Sequence, residues 1–122
     1  MTSEILKFIY QTLTNANINY AFMEWNSDIK YPYWIGEYDE TDATDEDSSH
    51  EYNFRLTGTT RNTWSELEEN KQKIENLLNT TTILPNGTGV VFSYAGALLI
   101  PTGDSELKRM QINLTIQEWR VN

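Results

Sequence analysis

The stretch from Tyr52 to Leu78 constrains the fold most, because its hydrophobic period changes from that of a strand to that of a helix. Tyr52, Phe54 and Leu56 alternate with polar residues, which predicts a strand with one apolar face. Apolar residues then recur near helical spacing at Trp64, Leu67, Ile74, Leu77 and Leu78. An isolated helix of this length is marginal in water, so its apolar stripe must pack on a sheet.

Two helix starts are visible. Thr63 followed by Glu66 has the spacing of a capping box, in which the Thr63 hydroxyl accepts a free amide of the first turn. Such a cap contributes about 1 kcal/mol. Near the N-terminus, Thr2 or Ser3 can cap a first helix that ends near Asn15. Trp64 is expected in the core with the rest of its stripe.

Alternating or β-branched segments predict strands elsewhere in the chain, at 20–25, 32–38, 52–57, 90–94 with an extension at 98–100, and 110–117. A turn is expected at 84–87, a bulge or kink at Ala95 to Ala97, and a hairpin loop at 101–104. The predicted fold is a single α+β domain, 1–122, with element order α-β-β-β-α-β-β. Short links favour a mainly antiparallel sheet of four to five strands with both helices packed on one face.

The negative charge is concentrated in one stretch. The net charge is −9, and residues 39–51 contain seven acids without a lysine or arginine. We predict that residues 39–51 form an acidic, mobile loop. Counterion release requires positive charge on the protein, so the composition disfavours direct nucleic-acid binding.

The sequence has no cysteine, which excludes disulfides, thiolate metal sites and cysteine nucleophiles. The N-terminus lacks the pattern of an export signal, and no apolar run is long enough to cross a membrane. We therefore expect a protein made in the cytosol, without a membrane association. No motif indicates a cofactor.

Two groups of residues are candidate sites for chemistry. His50 is the only histidine and stands beside Glu51, and Asp104 with Glu106 form a close carboxylate pair. Either could serve acid–base chemistry, but solvated loop residues explain both more simply. The acids from Asp45 onward do not match a calcium-binding loop, which needs Gly at position 6 and Glu at position 12.

An aromatic run precedes the acidic stretch. Tyr31, Tyr33, Trp34 and Tyr38 alternate so that rings lie on both faces of a strand. Tyr and Trp are enriched at protein interfaces. Core packing alone, and core packing combined with a protein interface, both remain open for these four residues.

The arrangement resembles the tail terminator or tail-completion (head–tail joining) proteins of long-tailed phages and prophages. The similarity spans YPYWIGEY at 31–38, the acidic stretch, the strand that runs into a tryptophan-led helix, GTGVVFSY at 87–94, and a long final strand. It implies a structural protein without enzymatic activity or cofactor. The resemblance implies a ring, expected to be a hexamer, that contacts the major tail tube protein and the neck or head-completion protein. In such a ring Tyr31, Tyr33, Trp34 and Tyr38 are hypothesised to form a subunit or tube interface. The implied location is the head-proximal end of the virion tail, after synthesis in the bacterial cytoplasm.

Within that resemblance we hypothesise that Asp42, Asp45, Glu46 and Asp47 face the lumen or rim of the ring, where carboxylates repel DNA phosphates. Two other classes compete. A small acidic inhibitor that mimics DNA would bind a basic partner in a salt-sensitive manner. A hydrolase would use His50 or the Asp104 and Glu106 pair within a concave pocket.

Overall fold

The computed structural model describes residues 1–25, 28–40 and 49–119. Within those ranges the chain forms two helices and six strands. They are α1 (Ser3–Asn15), β1 (Tyr20–Phe22), β2 (Tyr33–Glu40), β3 (Ser49–Thr60), α2 (Trp64–Leu77), β4 (Thr81–Ile83), β5 (Gly89–Ile100) and β6 (Lys108–Trp119). The strands form one sheet in the order β1-β2-β3-β6-β5-β4. The predicted α+β class is confirmed.

The predicted number of four to five strands is not exact, because the sheet has six described strands. Four of the five strand pairs are antiparallel, and the sheet is mixed because the pair β1 and β2 is parallel. β4 is an additional strand that follows α2 and pairs with the start of β5. Its three residues are too few to show a period, so the threonines at 80–82 predicted only the end of the helix. β1 runs parallel to β2, since the chain returns through the segment before Tyr33 instead of reversing in a tight hairpin.

Both helices pack on the same face of the sheet. α1 buries Ile5, Ile9 and Leu13, while α2 buries Leu67 and Ile74. These side chains meet the apolar face of the strands in one continuous core, whose strand members include Tyr52, Phe54, Leu56, Phe92, Ile112, Leu114 and Ile116. Burying each large side chain contributes about 1.5–3 kcal/mol. The core therefore lies between the helix layer and one face of the sheet.

The two helix starts behave differently. The Thr63 hydroxyl accepts a hydrogen bond from the Glu66 amide at 3.2 Å, which confirms the predicted cap of α2. Thr2 is the cap residue of α1 but makes no side-chain bond to that helix. Its hydroxyl instead donates to Glu118 Oε2 at 2.8 Å. Trp64 was expected in the core but is 42% exposed, because it begins α2 at the end of the helix layer.

The predicted loop 39–51 is too wide. β2 continues through Asp39 and Glu40, which pair with Asn53 and Tyr52. β3 begins at Ser49, which pairs with Trp119 at the far end of β6. Cross-strand pairing thus extends both strands into the acidic stretch, and the charge pattern alone could not reveal that extension.

The last two strands match the prediction closely. β5 shifts its register against β6 between Tyr94 and Gly96, which confirms a bulge in the segment of small residues. Before β5, the Gly87 amide donates to the Leu84 carbonyl at 2.8 Å and closes the predicted turn. Gly87 has φ of 89°, a conformation in which other residues are strained.

Candidate interaction surfaces

The predicted interface aromatics separate into a buried residue and three partly exposed ones. Trp34 is completely buried, and its ring lies over Gly58 on β3. Tyr38 is half-buried, stacks on Phe22 at 6.0 Å and meets Tyr52 edge-on at 5.8 Å between ring centroids. Trp34 therefore contributes to the hydrophobic core. For Tyr31, Tyr33 and Tyr38 the interface role stays a prediction.

Tyr31 and Tyr33 belong to a partly exposed cluster with Trp25 at the start of β2. The ring centroid of Tyr33 lies 5.4 Å from that of Trp25 and 5.9 Å from that of Tyr31. A hydrogen bond with Tyr31 raises the pKa of Arg61, which also pairs with Asp104 at 3.4 Å. The cluster is thus linked to the β5–β6 hairpin loop by one arginine. Sequence alternation predicted the rings but not this link.

The predicted lumen residues Asp42, Asp45, Glu46 and Asp47 lie outside the described residues, so their role stays a hypothesis. The neighbouring acids of β2 are described. Arg55 on β3 contacts Glu37 Oε1 through Nε at 3.2 Å and Asp39 Oδ2 through Nη1 at 2.7 Å. Hydrogen bonds from Arg55 and Asn53 lower the pKa of Asp39. These two acids are therefore paired across the strands.

The face of the sheet opposite the helices is covered by none of the described elements. Strand alternation directs a field of amides and hydroxyls to it, contributed by Asn53, Thr57, Ser93, Gln111, Asn113, Thr115 and Gln117, all partly or fully exposed. The Gln111 amide donates to Asn113 Oδ1 at 2.8 Å. Arg55, with its two acids, is the charged cluster beside this field. The result is a broad polar surface that carries little net charge.

The residues considered for catalysis lie on the surface and far apart in the fold. His50 Nδ1 is 3.9 Å from Glu40 Oε1 at the start of β3. Asp104 accepts the Glu106 amide at 2.9 Å within a turn, and that bond, together with Arg61, lowers the pKa of Asp104. A general acid would need the opposite shift. Among the described residues, no group of three His, Asp or Glu side chains could hold a metal ion.

A buried polar cluster was missed by sequence reasoning. Glu118 is completely buried on β6 and accepts hydrogen bonds from the hydroxyls of Tyr52 and Thr2, each at 2.8 Å. The three residues come from β6, β3 and the start of α1. The sequence signal available was an acid at a position of β6 where the alternation calls for an apolar residue. A buried acid requires hydrogen-bond partners, so this cluster links β6, β3 and the start of α1 within the fold.

An open depression of about 610 Å³ lies between the end of α1 and the segment after β1. Tyr10, Asn17, Asn19, Trp25 and Lys30 are among the residues that line it. Tyr20 also borders the depression, but its hydroxyl lies beside Gly36 in the interior, and burial raises its pKa. The depression therefore offers amides and aromatic rings but no aligned acid–base pair among its lining residues.

Comparison with known proteins defines the fold but not the activity. No protein-family model and no curated protein match the sequence. A solved structure of a protein whose name states no function matches 100% of this chain and 99% of its own, with a TM-score of 0.59 and 8% identity. The architecture is thus shared over the full length, whereas that likeness carries no information about function. Neither described helix has the length and apolar composition needed to cross a membrane.

Proposed function

We propose that this chain is a structural virion protein of the tail terminator or tail-completion class. In this role several copies form a ring, a hexamer in the simplest case, on the end of the phage tail tube. The ring caps the tube and joins it to the neck or head. Its partners are further copies of itself, the major tail tube protein and a head-completion protein, and the proposed location is the head-proximal end of the tail.

The proposal is carried by the uncovered face of the sheet. A helix layer on one side and a broad polar face on the other leave four long strands available for contacts with large partners. The field of amides and hydroxyls presents hydrogen-bonding groups with little charge, and depletion of charged residues is typical of the centre of a protein interface. The resemblance to tail terminators in the order and position of the elements, over nearly the whole chain, supports the same proposal.

The acidic stretch has a role in this proposal. Asp42, Asp45, Glu46 and Asp47 would line the lumen or rim and repel the phosphates of passing DNA. The acids that precede them, Glu37 and Asp39, share one arginine, Arg55, which offsets one of their two negative charges. Residues 42–47 add four carboxylates to this region without a lysine or arginine among them, which makes those residues the ones to change.

Electron microscopy of the purified protein mixed with tail tubes tests the proposal directly. We expect a ring of density at one end of each tube and an arrest of tube growth. Tubes that keep growing with bare ends, at protein concentrations well above that of the tubes, would contradict the proposed function.

A charge-matched pair of variants tests the lumen hypothesis. Changing Asp42, Asp45, Glu46 and Asp47 to Asn or Gln raises the net charge from −9 to −5 (−9 + 4). The control changes the exposed acids Glu24, Asp28, Glu69 and Glu106 in the same way and has the same net charge. We expect DNA ejection and infectious titre to fall only for the first variant. Equal titres for both variants would remove the lumen hypothesis.

The DNA-mimic inhibitor is the second candidate. It requires a row of free carboxylates at spacings that resemble phosphates, and the acids of 42–47 supply the necessary charge. Glu37 and Asp39, however, are paired with Arg55 and do not extend that row. A salt-sensitive complex with a basic DNA-binding enzyme, together with an absence of binding to tail tubes, would favour this candidate.

A further inference from the structure

The outer edge of β5 is only partly covered. β4 pairs with Gly89 to Val91, and the Thr80 carbonyl accepts the Phe92 amide at 2.8 Å. The Asn79 side chain then accepts the Tyr94 amide at 3.3 Å. Beyond this point no described segment pairs with the outer side of β5. Residues 95–100 therefore form a free sheet edge.

The bulge determines which backbone groups reach that edge. Phe92 and Tyr94 direct their amides outward, as their bonds to Thr80 and Asn79 show. The extra residue between Tyr94 and Gly96 shifts the alternation by one position. After the bulge Ala97 and Leu99 consequently direct their N–H and C=O groups outward, while Gly96, Leu98 and Ile100 direct theirs to β6.

The same edge is apolar and uncharged. Leu98 is 48% and Leu99 is 60% exposed, although both are large aliphatic residues. No charged residue occurs from Thr88 to Gly103 in a chain whose net charge is −9. An exposed apolar edge is a template for strand pairing, and proteins ordinarily protect such edges with charges. Glu68 and Lys71 on α2, which border the grooves beside this edge, pair with each other at 3.2 Å, so a second acidic copy meets little net charge here.

We propose that the free edge of β5 pairs with the same edge of a second copy of this chain, antiparallel about a two-fold axis at Leu98. In this register Leu98 faces Leu98, Ala97 faces Leu99, and Gly96 faces Ile100. Opposed residues in a ladder lie on the same face, and each such pair here does so. Small residues therefore meet large ones on either side of the axis.

The backbone geometry selects the same register. Ala97 and Leu99 are the residues that direct polar groups outward, and this register places them opposite one another on both sides of the axis. They form the hydrogen-bonded pairs of the new ladder, while Leu98 forms the pair without hydrogen bonds. The pairing of small with large residues, the uncharged edge and the direction of the free backbone groups all fit a second copy of this chain as the partner.

An apolar groove beside the edge enlarges the contact. Trp64 and Glu68 on α2, together with Leu99, border a groove of about 350 Å³ with Met110 at its base. The adjoining groove, about 250 Å³, is bordered by Ala97, Leu98 and Lys71 among others. Pairing of two edges brings these grooves together across the axis and covers the exposed Trp64 and Leu99 side chains.

A disulfide experiment tests the register, since the natural sequence contains no cysteine. Opposed residues in a pair without hydrogen bonds have Cα atoms about 4.5 Å apart, within the disulfide range of about 4.4–6.8 Å. Leu98→Cys should therefore form a covalent dimer under mild oxidation. Ile83→Cys is the matched control, because Ile83 is 75% exposed on the edge strand β4, outside the proposed contact.

We expect Leu98→Cys to cross-link about tenfold faster than Ile83→Cys, because pairing raises the local thiol concentration. Ala97→Cys should remain slow, since its opposite residue in the other copy is Leu99. Equal rates for the three variants would overturn the proposal. So would a faster rate for Ala97→Cys than for Leu98→Cys, because the axis would then lie elsewhere.

Sedimentation of the unmodified protein gives an independent measurement. We expect a mass approaching twice 14.2 kDa as the concentration rises to about 1 mM, where even a weak contact is populated. Leu99→Asp should raise the dissociation constant about tenfold or more, and Ile83→Asp should leave it unchanged. A monomer at all concentrations, or equal effects of the two aspartates, would overturn the proposal.

The pairing is independent of the proposed virion function. A two-fold contact closes on itself and does not build a ring, so a ring requires another, head-to-tail surface. Rings on tail tubes without edge pairing would leave the function standing and remove the dimer. Edge pairing without tube binding would have the opposite consequence.

Discussion

The Tyr52 hydroxyl donates a hydrogen bond of 2.8 Å to Glu118 Oε1, and both side chains are completely buried. The second carboxyl oxygen receives the Thr2 hydroxyl at the same distance. One acid on β6 thereby holds β3 and the start of α1 together. The bond satisfies a group whose burial without partners would be costly.

Tyr52→Phe should destabilise the fold by about 1–3 kcal/mol, since a buried carboxyl oxygen then loses a donor while the ring remains. Urea unfolding measures the loss. Tyr38→Phe is the control, because the half-buried Tyr38 contacts the same ring without taking part in the bonds to Glu118. If the two variants differ by less than about 0.5 kcal/mol, the bond to Glu118 does not contribute as described.

Gly58→Ala should destabilise the fold by about 1–3 kcal/mol through overpacking. A Cβ atom at residue 58 would lie 2.6 Å from the ring carbons of Trp34, which is completely buried and cannot move aside. Gly89→Ala is the control, since a Cβ there meets nothing within 4 Å. Thermal unfolding compares them, and equal melting temperatures would show that the Trp34 ring shifts freely.

Thr63→Ala should cost about 1 kcal/mol by removing the acceptor of the Glu66 amide at the start of α2. Thr63→Ser keeps the hydroxyl and should retain most of that stability. Chemical denaturation of both variants provides the measurement. A similar loss in the serine variant would point to the methyl group of Thr63, and not to the cap.

Arg55→Gln should raise the pKa of Asp39 toward its ordinary value, because Arg55 is the main cause of the lowered pKa. A lowered pKa in the folded state contributes stability above the ordinary pKa of Asp, and that contribution is lost as the pH falls through the folded value. The difference in stability between wild type and variant should therefore be present at neutral pH and disappear in acid.

Carboxyl NMR titration measures the change at Asp39 directly. Arg61→Gln is the control, because Arg61 pairs with Asp104 and should leave Asp39 unaffected. An unchanged Asp39 titration in Arg55→Gln would show that Arg55 does not pair with Asp39 in solution.

Most helices and strands could be predicted because their signals are local. The Thr63 cap joins residues three positions apart, and the alternation along β6 follows from the strand period alone. The bulge after Tyr94 was also predicted from small residues in sequence. β4 and the parallel pairing of β1 were missed, since three-residue strands carry no period and pairing direction depends on the path of the connecting chain.

The candidate surfaces were harder to predict, because exposure depends on what packs above each residue. Alternation separates Trp34 from Tyr33, but only the space over Gly58 shows that the tryptophan is the buried ring. Trp64 belongs to the apolar stripe of α2, yet its position at the helix end leaves it exposed.

The sequence by itself determined the α+β class, the two helices, the cap at Thr63 and the charge pattern, because each depends on residues that are neighbours along the chain. The tertiary structure decided that the hydroxyls of Thr2 and Tyr52 donate hydrogen bonds to Glu118, although they lie 116 and 66 positions from it in the chain. It also decided that the edge of β5 beyond β4 stays free. Contacts between distant segments form only when the sheet is assembled, and no local period encodes them.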